Sequence, residues 1–446
     1  MNPLLSVSRF TVLRKIAKYA GIPAIVLGTL MYSCQTAGTT GQEPKLPQAL
    51  ADNGGISLPS GFGAVLVTDS LDKGARHLAI RENGDIYVKL RQTAGGKGIV
   101  ALRDTDGDGV ADQKEMFGNF TGTGMRLHNG YLYASSDTMV MRYKLQENAL
   151  LPDTTAEVIV SGFPVQRSHA SKPMAFDGAG NMYVTVGAPS NACQEEARKA
   201  GSPGIDPCPQ RDMQAGIWKF SDSKLNQTHT ADGVNYARGI RNAVAICWNK
   251  SANSLYALQH GRDQLNTLWP EKFTDEDNEI LPAEEFLQIS DGDDFGWPYC
   301  YFNQNLNKKV LGPEYGGDGT ETGRCEGIKP PIVAFPGHMA PNDLLFYTGD
   351  QFPEPYKNGA FIAFHGSWNR APLPQAGYFV VFVPMKDGQP SGDWEVFAEG
   401  FPQIPEVKNP NDAVYRPVGL SQGPDGSLYI SDSRKGRIWR IMYYGV

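Results

Sequence analysis

The chain has 446 residues, 50 of them glycine and 31 proline, with a net charge of −7. The first 34 residues hold Arg9, Arg14, Lys15 and Lys18 and no acid, so the remainder carries −7 − 4 = −11. An acidic body excludes nucleic acid as the partner, and turn-rich composition with few long helical patterns excludes a mostly helical fold.

At the amino end, Arg14, Lys15 and Lys18 precede an apolar stretch over residues 20–32 that is too short to span a bilayer comfortably. This pattern predicts a signal peptide over 1–34. It ends at Met31-Tyr32-Ser33-Cys34, which resembles the site where bacterial lipoproteins are cut and lipidated, here at Cys34. The expected location is therefore extracytoplasmic, in the periplasm or cell envelope, with membrane contact through the lipid anchor only. Residues 35–57, rich in Gly, Thr, Gln and Pro, read as a flexible tether.

From residue 58 to 446 one phrase returns six times, a turn residue followed by β-formers. Its copies are Gly84-Asp85-Ile86-Tyr87-Val88, Gly130-Tyr131-Leu132-Tyr133-Ala134, Gly180-Asn181-Met182-Tyr183-Val184, Asn253-Ser254-Leu255-Tyr256-Ala257, Gly359-Ala360-Phe361-Ile362-Ala363 and Gly426-Ser427-Leu428-Tyr429-Ile430. Each reads as a strand leaving a tight turn into a buried sheet. A second strand is expected after each copy, at 98–102, 139–143, 216–220, 265–269, 377–381 and 436–440. Hairpins recurring at variable spacing fit an all-β, six-bladed β-propeller rather than a solenoid of fixed pitch. An ordinary β-sandwich is the competing fold.

Between these hairpins lie the polar motifs. Asp104, Asp106, Asp108 and Asp112, spaced around Gly107 and Gly109, predict a structural calcium loop, because alternate carboxylates wrap a hard cation. His169, in Ser168-His169-Ala170-Ser171-Lys172-Pro173, stands at a strand entrance, where an imidazole accepts a proton near neutral pH. Arg241-Asn242 pairs a guanidinium with an amide, suited to gripping an anionic ligand. Gln259-His260-Gly261-Arg262-Asp263, Asp294-Phe295-Gly296-Trp297-Pro298, Gly337-His338-Met339, His365-Gly366-Ser367-Trp368-Asn369-Arg370 and Tyr415-Arg416-Pro417 follow. Several arginines brought to one propeller face predict an anion over the central channel. Cys193 with Cys208 and Cys300 with Cys325 bracket two loops as local disulfides, while Cys247 reads as a buried, reduced thiol. Without a CxxC pair or clustered histidines, zinc is not expected.

In this order, Arg241-Asn242, Gln259 to Asp263 with Asn266, Gly296-Trp297-Pro298, His365 to Arg370 and Arg416-Pro417-Val418-Gly419 resemble the glucose/sorbosone dehydrogenases. These are soluble six-bladed quinoproteins using pyrroloquinoline quinone (PQQ), and the phrase at 365–370 resembles their L-sorbosone dehydrogenase branch. The resemblance implies a dehydrogenase that oxidises a sugar or sugar-derived aldehyde or alcohol by hydride transfer to PQQ. It implies His169 as general base, and Arg241, Asn242, Arg370 and Arg416 as cofactor contacts. It also implies calcium at the cofactor through the backbone carbonyls of Gly261 and Arg262. This chain departs from the family at Ala243 and Val244, at Arg262, and in lacking a lysine beside Trp368 and Asn369. The electron acceptor is not identified by the sequence, which holds no CxxCH for haem. The competing functions are a calcium-dependent propeller lactonase and a non-catalytic propeller that binds glycan or protein.

Overall fold

Each repeat becomes a hairpin because its turn residue takes a left-handed conformation. Gly84, Gly130, Gly180 and Gly426 have φ of 89°, 78°, 97° and 87°, and Asn253 has 47°. Glycine and asparagine reach that region at least cost. In the fifth copy Asn358 turns instead, with φ 60°, and Gly359 serves close packing, since a Cβ there would meet the Phe382 ring at 2.1 Å.

In the computed structural model, which describes residues 46–445, the strands form six antiparallel blades of a β-propeller. The first blade runs Ala75–Ile80, Ile86–Ala94, Lys97–Arg103 and Gln113–Phe117. The second is Met125–His128, Tyr131–Ser135, Val140–Lys144 and Glu157–Ser161, and the third is Met174–Phe176, Asn181–Val186, Gly216–Ser221 and Val234–Arg238. The fourth is Ala243–Asn249, Ser254–Gln259, Glu284–Ile289 and Val333–Phe335. The fifth is Pro341–Phe346, Ala360–Phe364, Phe379–Val383 and Glu395–Ala398. The sixth combines Pro417–Gln422, Leu428–Asp432 and Ile438–Tyr443 with the early strand Phe62–Thr68, which pairs with Ile438–Tyr443 and closes the ring. The first strands of neighbouring blades touch all the way round, so they surround the channel.

One expected strand is not a strand. Leu265-Asn266-Thr267-Leu268-Trp269 contains a helical turn over Leu265–Leu268, and Leu265 and Leu268 are buried there. The true partner of Ser254–Gln259 is Glu284–Ile289. Its two leading glutamates hide it in the sequence, yet both are buried: Glu284 accepts from the Gly261 and Ala340 amides, and Glu285 pairs with Lys309 at 2.6 Å.

Apolar cores fill the spaces between blades. Between the fifth and sixth, Phe352, Phe361, Phe382, Phe397 and Trp439 are buried together. Each such ring stabilises the fold by about 1.5–3 kcal/mol relative to exposure. The segment 46–57, expected as the end of a tether, is instead strapped to the propeller. The Tyr444 hydroxyl donates to the Pro47 carbonyl at 2.6 Å, the Leu50 amide donates to the Ala64 carbonyl at 2.9 Å, and Ile56 is buried in the same core. Apolar side chains between its turns give it something to bury. The expected leader over 1–34, with Cys34, and the tether to residue 45 lie outside the described residues. Among the described residues no helix is long and apolar enough to cross a membrane.

Both disulfides are present, with Cα separations of 6.3 Å for Cys193–Cys208 and 5.7 Å for Cys300–Cys325. They staple two insertions, from the third and fourth blades, into one apolar cluster with Trp297 and Tyr299, and the Cys208 amide donates to the Tyr299 hydroxyl at 2.9 Å. Cys247 is free and half-buried against the core between the fourth and fifth blades.

Candidate active site

In an antiparallel blade, the start of the first strand and the end of the second lie at the same end of the channel. The polar motifs occupy these positions. Arg76, Asn242 and Arg416 stand at or just before first strands, while His260 and His365 follow second strands. His169 enters from the loop before the third blade. An open cavity of about 410 Å³ forms there, and Arg76, Arg91, Arg167, His169, Asn242, His260 and His365 are on its wall.

The His169 ring is fixed by its Nδ1, 2.6 Å from the Ala188 carbonyl oxygen. A carbonyl only accepts, so Nδ1 carries the proton and Nε2 is left as a free acceptor toward the cavity. Burial, and then the nearby Arg241 guanidinium, push His169 down to about 3. The loop behind it is tied by Gln166, whose Nε2 donates to the carbonyls of His169 and Gly187 at 3.0 and 2.9 Å. Asn242 Nδ2 donates to His260 Nδ1 at 3.2 Å, and His260 Nε2 donates to the Pro341 carbonyl at 2.8 Å.

The arginines divide into two sets. Arg241 is buried and used up internally: Nε donates to the Asn191 carbonyl at 3.1 Å, Nη1 to the Gly261 carbonyl at 2.9 Å, and Nη2 to Asp263 at 2.7 Å. Arg262 pairs with Glu314 at 2.5 Å, and Arg370 pairs with Glu279. These three brace the insertions and do not reach the cavity. By contrast, Arg76, Arg91 and Arg167 have no carboxylate partner among the described residues and face the cavity. Arg416 stands next to them, donating from Nε and Nη2 to the carbonyls of His365 and Gly366 at 2.9 and 2.6 Å. Burial, then Arg91 and Arg416, lower Arg76 to about 10; burial is also the main cause that lowers Arg416 to about 10. Guanidinium groups that repel one another in a pocket form a site for an anion.

Of the residues singled out in the sequence, the structure therefore brings His169 and Asn242 to the cavity and Arg416 to its edge, and leaves Arg241, Arg262 and Arg370 outside. Gly261 and Arg262 do not fit the expected calcium site. The Gly261 carbonyl already accepts from a guanidinium, and neither residue is on the cavity wall. The acidic loop is separate again. Carboxylate oxygens of Asp104, Asp106 and Asp108 lie within 4.8 Å of one another, but Asp112 turns away to accept from Thr105 at 2.7 Å. The loop shares no residue with the cavity. Sequence reading missed Arg76, Arg91, Arg167 and Asp137. The available signal was register, since Arg76 sits at the start of a first strand as Asn242 and Arg416 do.

The model of the TrAA12-like family matches residues 56–444. An uncharacterized protein of Borreliella burgdorferi is 30% identical over 208 residues, 46% of this chain and 48% of that one. A pyrroloquinoline quinone-dependent pyranose dehydrogenase of Coprinopsis cinerea is 28% identical over 281 residues, 55% of this chain and 37% of that one. The matches thus span less than half the length of these curated relatives. Among solved structures, the family AA12 enzyme of Trichoderma reesei superposes with a TM-score of 0.70 at 19% identity, covering 87% of this chain and 98% of that one. The holo PQQ domain of the Coprinopsis cinerea pyranose dehydrogenase superposes with 0.68 at 20%, covering 89% and 98%. At such identities the superpositions establish the propeller fold. The family model, which takes in nearly the whole described chain, establishes more: this protein is a member of the TrAA12-like family.

Proposed function

We propose that this protein is a PQQ-dependent dehydrogenase that oxidises a sugar or a sugar-derived aldehyde or alcohol. The observation that carries the reading is the cavity itself, whose wall holds arginines with no carboxylate partner among the described residues beside a histidine whose Nδ1 alone is engaged there. PQQ is a flat trianion, and a site of this charge and donor chemistry fits it: Arg76, Arg91 and Arg416 would hold its carboxylates, with Asn242 and His260 beside them. When bound, the quinone accepts the substrate's hydride. His169 Nε2 takes the proton from the reacting hydroxyl, while the Ala188 carbonyl holds the ring at its other nitrogen.

The similarity to the pyranose dehydrogenase supports a sugar substrate, and the phrase at 365–370 supports an L-sorbosone dehydrogenase-like type within that class. A lactonase would need several inward carboxylates for its metal, and Asp137 is the one carboxylate on this wall. The basic segment, the apolar stretch 20–32 and Cys34 support export and lipid anchoring.

The test is to titrate the purified protein with PQQ, with and without calcium, and then screen neutral sugars with an artificial electron acceptor. The reading predicts saturable PQQ uptake and sugar-dependent reduction of the acceptor; a protein that takes up no PQQ in either condition overturns it.

A supporting expectation concerns Gly187. A Cβ there would meet His169 Cβ at 2.6 Å, the His169 carbonyl oxygen at 2.8 Å and Asn242 Oδ1 at 3.0 Å. Gly187→Ala must push the His169 loop aside. Displacement of a reacting group by about 1 Å costs on the order of 10²-fold in rate. Steady-state kinetics should show that loss while circular dichroism shows an unchanged fold.

A further inference from the structure

The cavity carries one group that works against the anion its arginines attract. Asp137 lies in the turn between Tyr131–Ser135 and Val140–Lys144 of the second blade, on the cavity wall. It is exposed, and its carboxylate has no hydrogen-bond or ion-pair partner among the described residues. A carboxylate in an anion-binding cavity weakens cofactor binding by repulsion, so its presence calls for another ligand. Thr123 and Ser171, whose hydroxyls sit 3.0 Å apart, line the same cavity. The arginines can only donate hydrogen bonds, whereas a sugar hydroxyl also needs an acceptor for its proton. Asp137 is the strongest acceptor on this wall.

We propose that Asp137 receives the hydroxyls of an uncharged sugar, helped by the Thr123 and Ser171 hydroxyls, and turns acidic sugars away. This rests on the reading of the cavity as the PQQ and sugar site. A carboxylate accepts from two adjacent hydroxyls at once, which selects a substrate with neighbouring hydroxyl groups. The same charge repels a uronate, whose carboxylate would stand in the same cavity. The competing role is structural. The buried Lys89 and Lys172 lie near Asp137, each donating to a backbone carbonyl at 2.5 Å, and Asp137 would then be their counter-charge.

Asp137→Asn and Asp137→Ala, loaded with PQQ, distinguish the two roles. Cofactor affinity is measured first by PQQ titration. KM and kcat are then measured for the neutral aldose oxidised fastest by the unaltered protein and for the corresponding uronate. The expected result is PQQ affinity equal to or tighter than that of the unaltered protein. KM for the aldose should rise at least about 10-fold with kcat little changed, and the uronate-to-aldose ratio of kcat/KM should rise by about 10-fold or more. Unchanged KM and an unchanged ratio, with a lowered melting temperature, would assign Asp137 to the lysines and overturn the proposal. If the unaltered protein takes up PQQ but oxidises no sugar, this inference also fails while the cofactor assignment stands. If it takes up no PQQ, the functional reading fails first.

Discussion

Replacing His169 by alanine is expected to lower turnover by about 10²–10⁴-fold, the usual contribution of a general base, while PQQ affinity stays nearly unchanged. The two effects separate because His169 contributes an acceptor lone pair to the site and no charge. Its Nδ1 is committed to the Ala188 carbonyl, so a single nitrogen faces the cavity. Burial and Arg241 push the imidazole down to about 3, so the unloaded protein keeps Nε2 free of a proton through the neutral range. In the loaded protein kcat/KM should therefore rise with pH through an acid limb as Nε2 loses its proton, and His169→Ala should abolish that limb. Full activity in the alanine variant would remove His169 from the chemistry.

Replacing Arg76 by alanine is expected to have the opposite signature. The Arg76 side chain has no carboxylate partner among the described residues, and it is lowered to about 10 by burial, Arg91 and Arg416. Its removal relieves repulsion in the unloaded protein, whose melting temperature should hold or rise. The same change deletes a charge-assisted hydrogen bond to the cofactor, of about 1.5–3 kcal/mol, which corresponds to roughly a 10- to 150-fold loss of PQQ affinity. Arg416→Ala should weaken PQQ binding too. It is the less clean variant, because Arg416 also ties down the carbonyls of His365 and Gly366. Isothermal titration and thermal melts on both variants check these outcomes. Arg76→Ala with unchanged PQQ affinity would contradict its assignment to the anion site.

The propeller was legible because glycine and asparagine turns leave a mark in each repeat. Five of the six expected second strands overlap strands that pair as anticipated. The failure at 265–269 has a local cause. Leu265 and Leu268 look like strand residues, but they pack inward from one helical turn in an insertion, while the real strand opens with two buried glutamates. The disulfides were readable from loop bracketing alone. The site was legible by position more than by role. A motif tells which residue stands at a blade's end, whereas the direction of a long guanidinium depends on distant partners. Arg241 turns to Asp263 and Asn191, and Arg262 turns to Glu314. Arg76, Arg91 and Asp137 sit in ordinary sequence surroundings; pairing of Ala75–Ile80 with Ile86–Ala94 sets the two arginines side by side, and packing of the second blade against the first adds Asp137.

The central claim is that this cavity holds PQQ against Arg76, Arg91 and Arg416 with His169 facing it. A crystal structure of the protein grown with PQQ tests this most directly. The account predicts cofactor density in the cavity, carboxylates within hydrogen-bond distance of those arginines, and His169 Nε2 directed at the quinone side. PQQ bound elsewhere on the propeller, or in the cavity without contact to any of the three arginines, would contradict it.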